Sequence, residues 1–133
     1  MKLVIDTNVL VSALLNPDGT PAVVLNFVLS GNACCVYEER VLHEYRDVLL
    51  RPKFPFQRKD IDSLLEYLRM TGVRVAPKPC DVIFPDEDDR VFYEVAKAAS
   101  AEFLITGSRA HFPDEDWILT PGEFVIHHIR LQP

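Results

Sequence analysis

The chain is constrained most by a set of short apolar runs that do not alternate with polar residues. They occupy residues 3–5, 33–37, 73–76, 103–106 and 117–119. A strand with one face in water alternates along its length, whereas a strand buried on both faces reads as a continuous apolar run. Between the runs lie segments of helical length. Asn8 is a good N-cap for an apolar helix over 9–15, and Asn16-Pro17-Asp18-Gly19 is a turn by composition. Pro21 suits the first turn of a second helix reaching about Ser30, where Gly31-Asn32 stops it. Residues 38–51 place Val41, Leu42, Tyr45, Val48 and Leu49 on one stripe, and 60–70 do the same with Ile61, Leu64, Leu65 and Leu68 before a Gly72 cap. A proline-rich connection over 77–85 leads into a helix over 88–100. Thr120-Pro121-Gly122-Glu123 reads as a capping box that opens a last helix to about Ile129. Buried strands alternating with helices predict a three-layer α/β/α sandwich around a mostly parallel sheet.

The size suits one such unit. Of the 133 residues, 48% are apolar, enough for a core without disulfides. No internal repeat, low-complexity tract or long linker divides residues 1–133, so a single domain is expected. No run of 18 apolar residues exists, and Asp6 interrupts the first apolar stretch, which argues against a membrane span or a signal peptide. Cys34, Cys35 and Cys80 are odd in number, two are adjacent, and none forms a Cys-x-x-Cys pair. They read as reduced, buried residues of a cytoplasmic protein rather than a zinc site.

Net charge is −6, which argues against a nucleic-acid partner if taken as an average. The charges are nevertheless zoned. Residues 40–59 carry Arg40, Arg46, Arg51, Lys53, Arg58 and Lys59 against Glu44 and Asp47, whereas 81–94 carry Asp81, Asp86, Glu87, Asp88, Asp89 and Glu94 against Arg90. A basic zone beside an acidic one suits phosphate contact next to a cation site. In open parallel sheets, ligands bind beyond the carboxyl ends of the strands. Asp6 directly follows the first strand, and Glu44 sits in the second turn of the helix after the second, at the edge of its apolar stripe. The run Asp86-Glu87-Asp88-Asp89 opens the helix before the fourth strand, and Thr106-Gly107-Ser108 follows that strand. Taken one at a time, these acids read as turn residues, caps or solvated surface. If they converge, their mutual repulsion calls for a divalent cation, and oxygen-only ligation favours Mg²⁺ or Mn²⁺ over zinc. His127 and His128 are neighbours on different helix faces, so the histidines are given no ligand role.

The ordered segments resemble one family. Val4-Ile5-Asp6-Thr7-Asn8-Val9-Leu10 looks like the opening signature of PIN-domain proteins. The resemblance continues through Val41-Leu42-His43-Glu44-Tyr45-Arg46-Asp47-Val48-Leu49, Pro85-Asp86-Glu87-Asp88-Asp89 and Leu104-Ile105-Thr106-Gly107. His111-Phe112-Pro113 and Leu119-Thr120-Pro121-Gly122-Glu123-Phe124 resemble one branch, the toxin components of toxin–antitoxin pairs. The resemblance implies a PIN-like fold and a Mg²⁺- or Mn²⁺-dependent ribonuclease that leaves a 5′-phosphate and a 3′-hydroxyl. Carried over position by position, it implies Asp6 and Glu44 as the first two family acids. The third falls in the acidic run, at Asp89 by its distance to Thr106-Gly107, with Asp86 the second choice and a further metal ligand. Asn8, Thr106 and Ser108 are supporting residues, although many family members carry an acid where Ser108 stands. Arg40, Arg46, Arg51 and Lys53 are the candidates to steer RNA. The expected partners are RNA, a cognate antitoxin protein and a second copy of the chain. The alternative is a PIN-like module that binds RNA or protein without catalysis. An aspartate-nucleophile phosphatase fits less well, because Asn8 stands where such enzymes place a second Asp.

Overall fold

The computed structural model describes residues 1–130. Its centre is a five-stranded sheet, all parallel, with strands in the order 73–74, 34–37, 2–5, 103–105 and 118–119. The elements follow one another as β1 (Lys2–Ile5), α1 (Thr7–Leu15), α2 (Thr20–Leu29), β2 (Cys34–Tyr37), α3 (Glu39–Leu49), α4 (Arg58–Thr71), β3 (Val73–Arg74), α5 (Arg90–Ala99), β4 (Phe103–Ile105), β5 (Ile118–Leu119) and α6 (Pro121–Val125). Helices cover both faces, giving the expected α/β/α sandwich. α1 packs on α2 and α2 on α6, while α3 packs on α4 and α5 lies across β1, β2 and β4. Leu3, Val4, Leu104 and Ile118 are inaccessible, as continuous apolar strands require. Among the described residues no helix is long and apolar enough to cross a membrane.

The strand order creates the position that matters. The chain moves from β1 to β2 and β3 on one side, then returns to place β4 on the other side of β1. Loops leaving β1 and β4 therefore separate at their carboxyl ends and open a crevice there, the switch point of a doubly wound sheet. Register brings Ile5 opposite Ile105, so Asp6 and Thr106 follow at one level.

Several boundaries differ from the sequence reading. The first helix begins at Thr7, so Asn8 lies inside it and Asp6 takes the cap position through its backbone, whose carbonyl accepts from the Val9 and Leu10 amides. The third strand is only two residues long and exposed, because β3 is an edge and pairs with β2 alone. Glu87–Asp89 form a separate 3₁₀ turn before α5, and Ser100 ends α5 in the left-handed conformation at φ 50°. The capping box of α6 is present, but after Val125 the helix widens into a π-type turn over Ile126–Arg130.

Gly72 ends α4, though not as a left-handed cap: its φ is −91° and ψ −175°. A side chain there would collide with the carbonyl oxygens of Cys35 and Leu68. Its role is close approach of helix end to strand. Replacing Gly72 with Ala is expected to cost about 1–3 kcal/mol, as overpacking against rigid backbone does, read as a lower midpoint in denaturant unfolding. A midpoint equal to wild type would remove this steric account.

Candidate active site

The rim of the crevice is built from the end of β1 outward. Asp6 is only 4% exposed. Its amide donates to the Ile105 carbonyl (2.9 Å), which ties it to β4. Its carboxylate accepts from the Thr106 hydroxyl (2.7 Å) rather than capping α1. Thr106 in turn accepts from the Ser108 amide (3.0 Å), so the loop after β4 is folded around that hydroxyl.

α3 delivers the second acid. The buried Tyr45 hydroxyl donates to the Ile5 carbonyl, and Thr7 donates to Glu44 at 2.5 Å. Two successive side chains of α3 thus grip the residues on either side of Asp6. Burial raises the Tyr45 hydroxyl well above its ordinary range, so it remains a donor. Glu44 sits half-buried, as its place at the edge of the apolar stripe predicts.

The acidic run delivers the third. The Asp86 side chain caps the 3₁₀ turn by accepting from the Asp88 amide (2.9 Å). That turn points Asp89 inward, with its side chain 15% exposed and 3.7 Å from the Nδ1 of His111. Glu87 is drawn the other way by Arg90, which lowers its pKa. Arg90 also donates to the Cys80 and Val82 carbonyls, pinning the proline-rich connection beside the site.

Electrostatics link these acids. Burial raises the Asp6 carboxyl above its ordinary value, while Thr106 and the nearby amides of Thr7 and Asn8 oppose the rise without reaching cap geometry. Burial likewise raises Glu44; Thr7 opposes this, and the charges of Asp6, Asp88 and Asp86 add to it. Asp89 is pushed up from 3.8 to about 6, first by burial, then by Asp6 and Asp86, with His111 pulling in the opposite direction. Carboxyls buried within reach of one another's charge resist ionising together, and a cation relieves that conflict. The donors are carboxylates and hydroxyls, a set that suits a hard divalent ion. Among the described residues no three of these side chains converge to the closeness of a metal-ligand group; Thr106 and Thr7 hold Asp6 and Glu44 instead. The chemistry of the donor set fits the ion.

The other candidates are distributed unevenly. Asn8 is exposed. Arg40 lines a cleft of about 320 Å³ together with Glu44 and Asp88. Arg46 pairs with Asp62 on α4, Arg51 pairs with Asp47, and the Lys53 ammonium lies over the Phe54 ring. Thr7 and His111 were missed. Thr7 could have been found from its place between Asp6 and the first helical turn. His111 enters through a 3₁₀ turn at Arg109–His111 that no periodicity announces.

A carboxyl that holds its proton more tightly when folded stabilises the fold at low pH. For Asp89 that contribution is complete below about pH 4 and is lost as pH rises from about 4 to about 6. Thermal melts in chelator across this window are expected to show wild type losing stability relative to Asp89→Asn as pH rises. Parallel curves would mean that Asp89 titrates in the fold as it does in the unfolded chain.

The comparisons with known proteins agree with this geometry. The chain is 31% identical over 112 residues to the uncharacterized protein MJ1680 of Methanocaldococcus jannaschii, an alignment covering 82% of this chain and 72% of the relative. No solved structure matches it significantly. The PIN domain profile matches residues 2–110, a span that includes Asp6, Glu44, the acidic turn and the loop after β4. By that match, over most of its length and through every acid of the crevice, the chain belongs to the PIN domain family.

Proposed function

We infer that this chain is a ribonuclease that hydrolyses RNA phosphodiester bonds internally with Mg²⁺ or Mn²⁺. PIN domains are generally metal-dependent nucleases. The observation that carries the reading is the set of partly buried acids, Asp6, Glu44 and Asp89, gathered from β1, α3 and the turn before α5 with raised pKa values. A fold gains nothing by burying like charges that repel, so a function that uses them is the better account.

Asp6, Glu44 and Asp89 would hold the ion, with Asp86 beside them. When bound, a divalent ion supplies positive charge for the phosphate and makes water a better nucleophile near neutral pH. The protein's own residues do the rest. Thr106 and Thr7 fix the Asp6 and Glu44 carboxylates by one hydrogen bond each, so the acids enter the reaction already oriented. The water oxygen bonds to phosphorus and the bond to the 3′-oxygen breaks. The departing oxygen takes up a proton as the water loses one to solvent, leaving a 5′-phosphate and a 3′-hydroxyl. Ser108, where many family members carry an acid, donates its amide to Thr106 and so steadies the hydroxyl that holds Asp6.

The toxin role in a toxin–antitoxin pair is the finer part of the proposal. It rests on the resemblance of residues 111–113 and 119–124 to that branch. Growth arrest on expression, relieved by the product of an adjacent gene, would support it, and unimpaired growth with active protein would remove it.

Asp6→Asn keeps the shape and removes the charge. RNA cleavage in Mn²⁺ or Mg²⁺ is expected to fall by at least about 100-fold, the scale of losing one preorganised charged group. Cleavage at the wild-type rate would rule out this centre. Within the acidic run, Asp89→Asn is expected to reduce cleavage most, Asp86→Asn less and Glu87→Gln least, since Glu87 is committed to Arg90. An order led by Glu87 would relocate the third acid.

Only the folded chain gathers these residues, so the ion should stabilise it. At 100 times its dissociation constant the gain is about 2.7 kcal/mol, seen as a melting shift of several degrees that Asp6→Asn largely loses. Equal shifts in both proteins would place the ion elsewhere, for instance at the exposed Asp114 and Asp116.

A further inference from the structure

One cleft opens at the acids, and two more share its walls. The first carries Arg40, Glu44 and Asp88, with Glu94 also lining it. The second, about 480 Å³, runs from Arg40 and Glu38 to Arg74 and the 75–77 segment. The third, about 330 Å³, lies between Ala76 and Lys78 of the connection and Glu94 and Lys97 of α5. Arg40 is common to the first and second, Ala76 to the second and third, and Glu94 to the third and first. They therefore adjoin one another around the 74–78 segment.

The second and third clefts are basic. Arg74, Lys78 and Lys97 are exposed and form no ion pair among the described residues. Arg40 pairs only with Glu38, at the surface, where such a pair contributes little and is readily exchanged. The two carboxylates lining these clefts are engaged. Glu38 accepts from the Arg40 amide and guanidinium, and the buried Glu94 accepts from the Cys80 amide at 2.8 Å. Four cations thus line these two adjoining clefts in a chain whose net charge is −6.

Exposed cations in adjoining clefts fit a polymer with regularly spaced negative charge. The first cleft also carries Glu44 and Asp88, which selects a polymer that can present a phosphodiester to the acids. Clefts of about 480 and 330 Å³ admit one strand rather than a duplex. We propose that single-stranded RNA passes the acidic centre at Arg40 and continues over these clefts, its phosphates met by Arg74, Lys78 and Lys97. The proposal rests on the ribonuclease reading above. It keeps Arg40 from the sequence expectation of Arg40, Arg46, Arg51 and Lys53, and replaces the other three.

The test is the salt dependence of binding, measured by fluorescence anisotropy with a short labelled single-stranded RNA and the full chain in chelator. Each phosphate contact to a single strand contributes about 0.7 to the slope of log affinity against log salt. The triple variant Arg74→Ala, Lys78→Ala, Lys97→Ala is expected to lose about two units of slope and to bind at least 10-fold more weakly at low salt. It should keep the Mn²⁺-induced rise in melting temperature, which reports an intact fold and acidic centre. Arg58→Ala, on the first turn of α4 and lining none of these clefts, should match wild type. A triple variant with the wild-type slope overturns this path, and if Asp6-dependent cleavage persists the ribonuclease reading survives that result. Tighter binding of the matching duplex than of the single strand also overturns it. Wild type that neither binds nor cleaves RNA overturns both.

Discussion

The hydrogen bond from the buried Tyr45 hydroxyl to the Ile5 carbonyl fixes α3 against the end of the central strand. With Tyr45 held, its neighbour Glu44 cannot swing outward and meets Thr7 across the same corner. β4, paired through Ile5 and Ile105, brings Thr106 to Asp6 from the opposite side. The three elements are joined by backbone and side-chain bonds that do not involve a ligand. The positions of the first two acids are therefore properties of the packed core, and Tyr45 stacked on Phe92 extends that core to α5. The third acid depends on the α5 end of the same chain of contacts.

Placing acids there has a thermodynamic cost. Each carboxyl loses hydration, which raises all three pKa values, and like charges add to the rise at Glu44 and Asp89. The hydroxyls of Thr106 and Thr7 return part of that cost as hydrogen bonds to the ionised forms. On the proposed reading a cation would relieve what remains, and the feature that weakens the empty fold would give the loaded one its affinity. Stability and function would then be coupled through charge rather than through shape.

Much of this was legible in the sequence. The non-alternating runs gave buried parallel strands because burial on both faces leaves no reason to alternate. Asp6 stood out because an acid immediately after such a run must sit at the carboxyl rim. Glu44 was legible from its place beside the Val41–Tyr45 stripe. The acidic run was visible as a whole, but the sequence left Asp89 and Asp86 open. Their directions are set by a 3₁₀ turn, whose three-residue geometry differs from the α-helix expected over 88–100. His111 belonged to a segment of the resemblance, but its place beside Asp89 was illegible for the same reason. The surroundings of the cations were not legible, because nearness in sequence is not nearness in space: Arg46 faces Asp62, while Arg40 shares a cleft with Arg74 from a distant part of the chain.

The sheet ends on both sides in a two-residue strand, Val73–Arg74 at one edge and Ile118–Leu119 at the other. Beyond β3 the chain reaches Pro77 and Pro79, and beyond β5 it reaches Pro121. Proline offers no amide to a neighbouring strand. Edges this short, each followed within a few residues by proline, offer little template for another chain and discourage growth of this sheet into a larger one. Assembly with another chain is thereby steered toward helices and loops rather than toward the sheet.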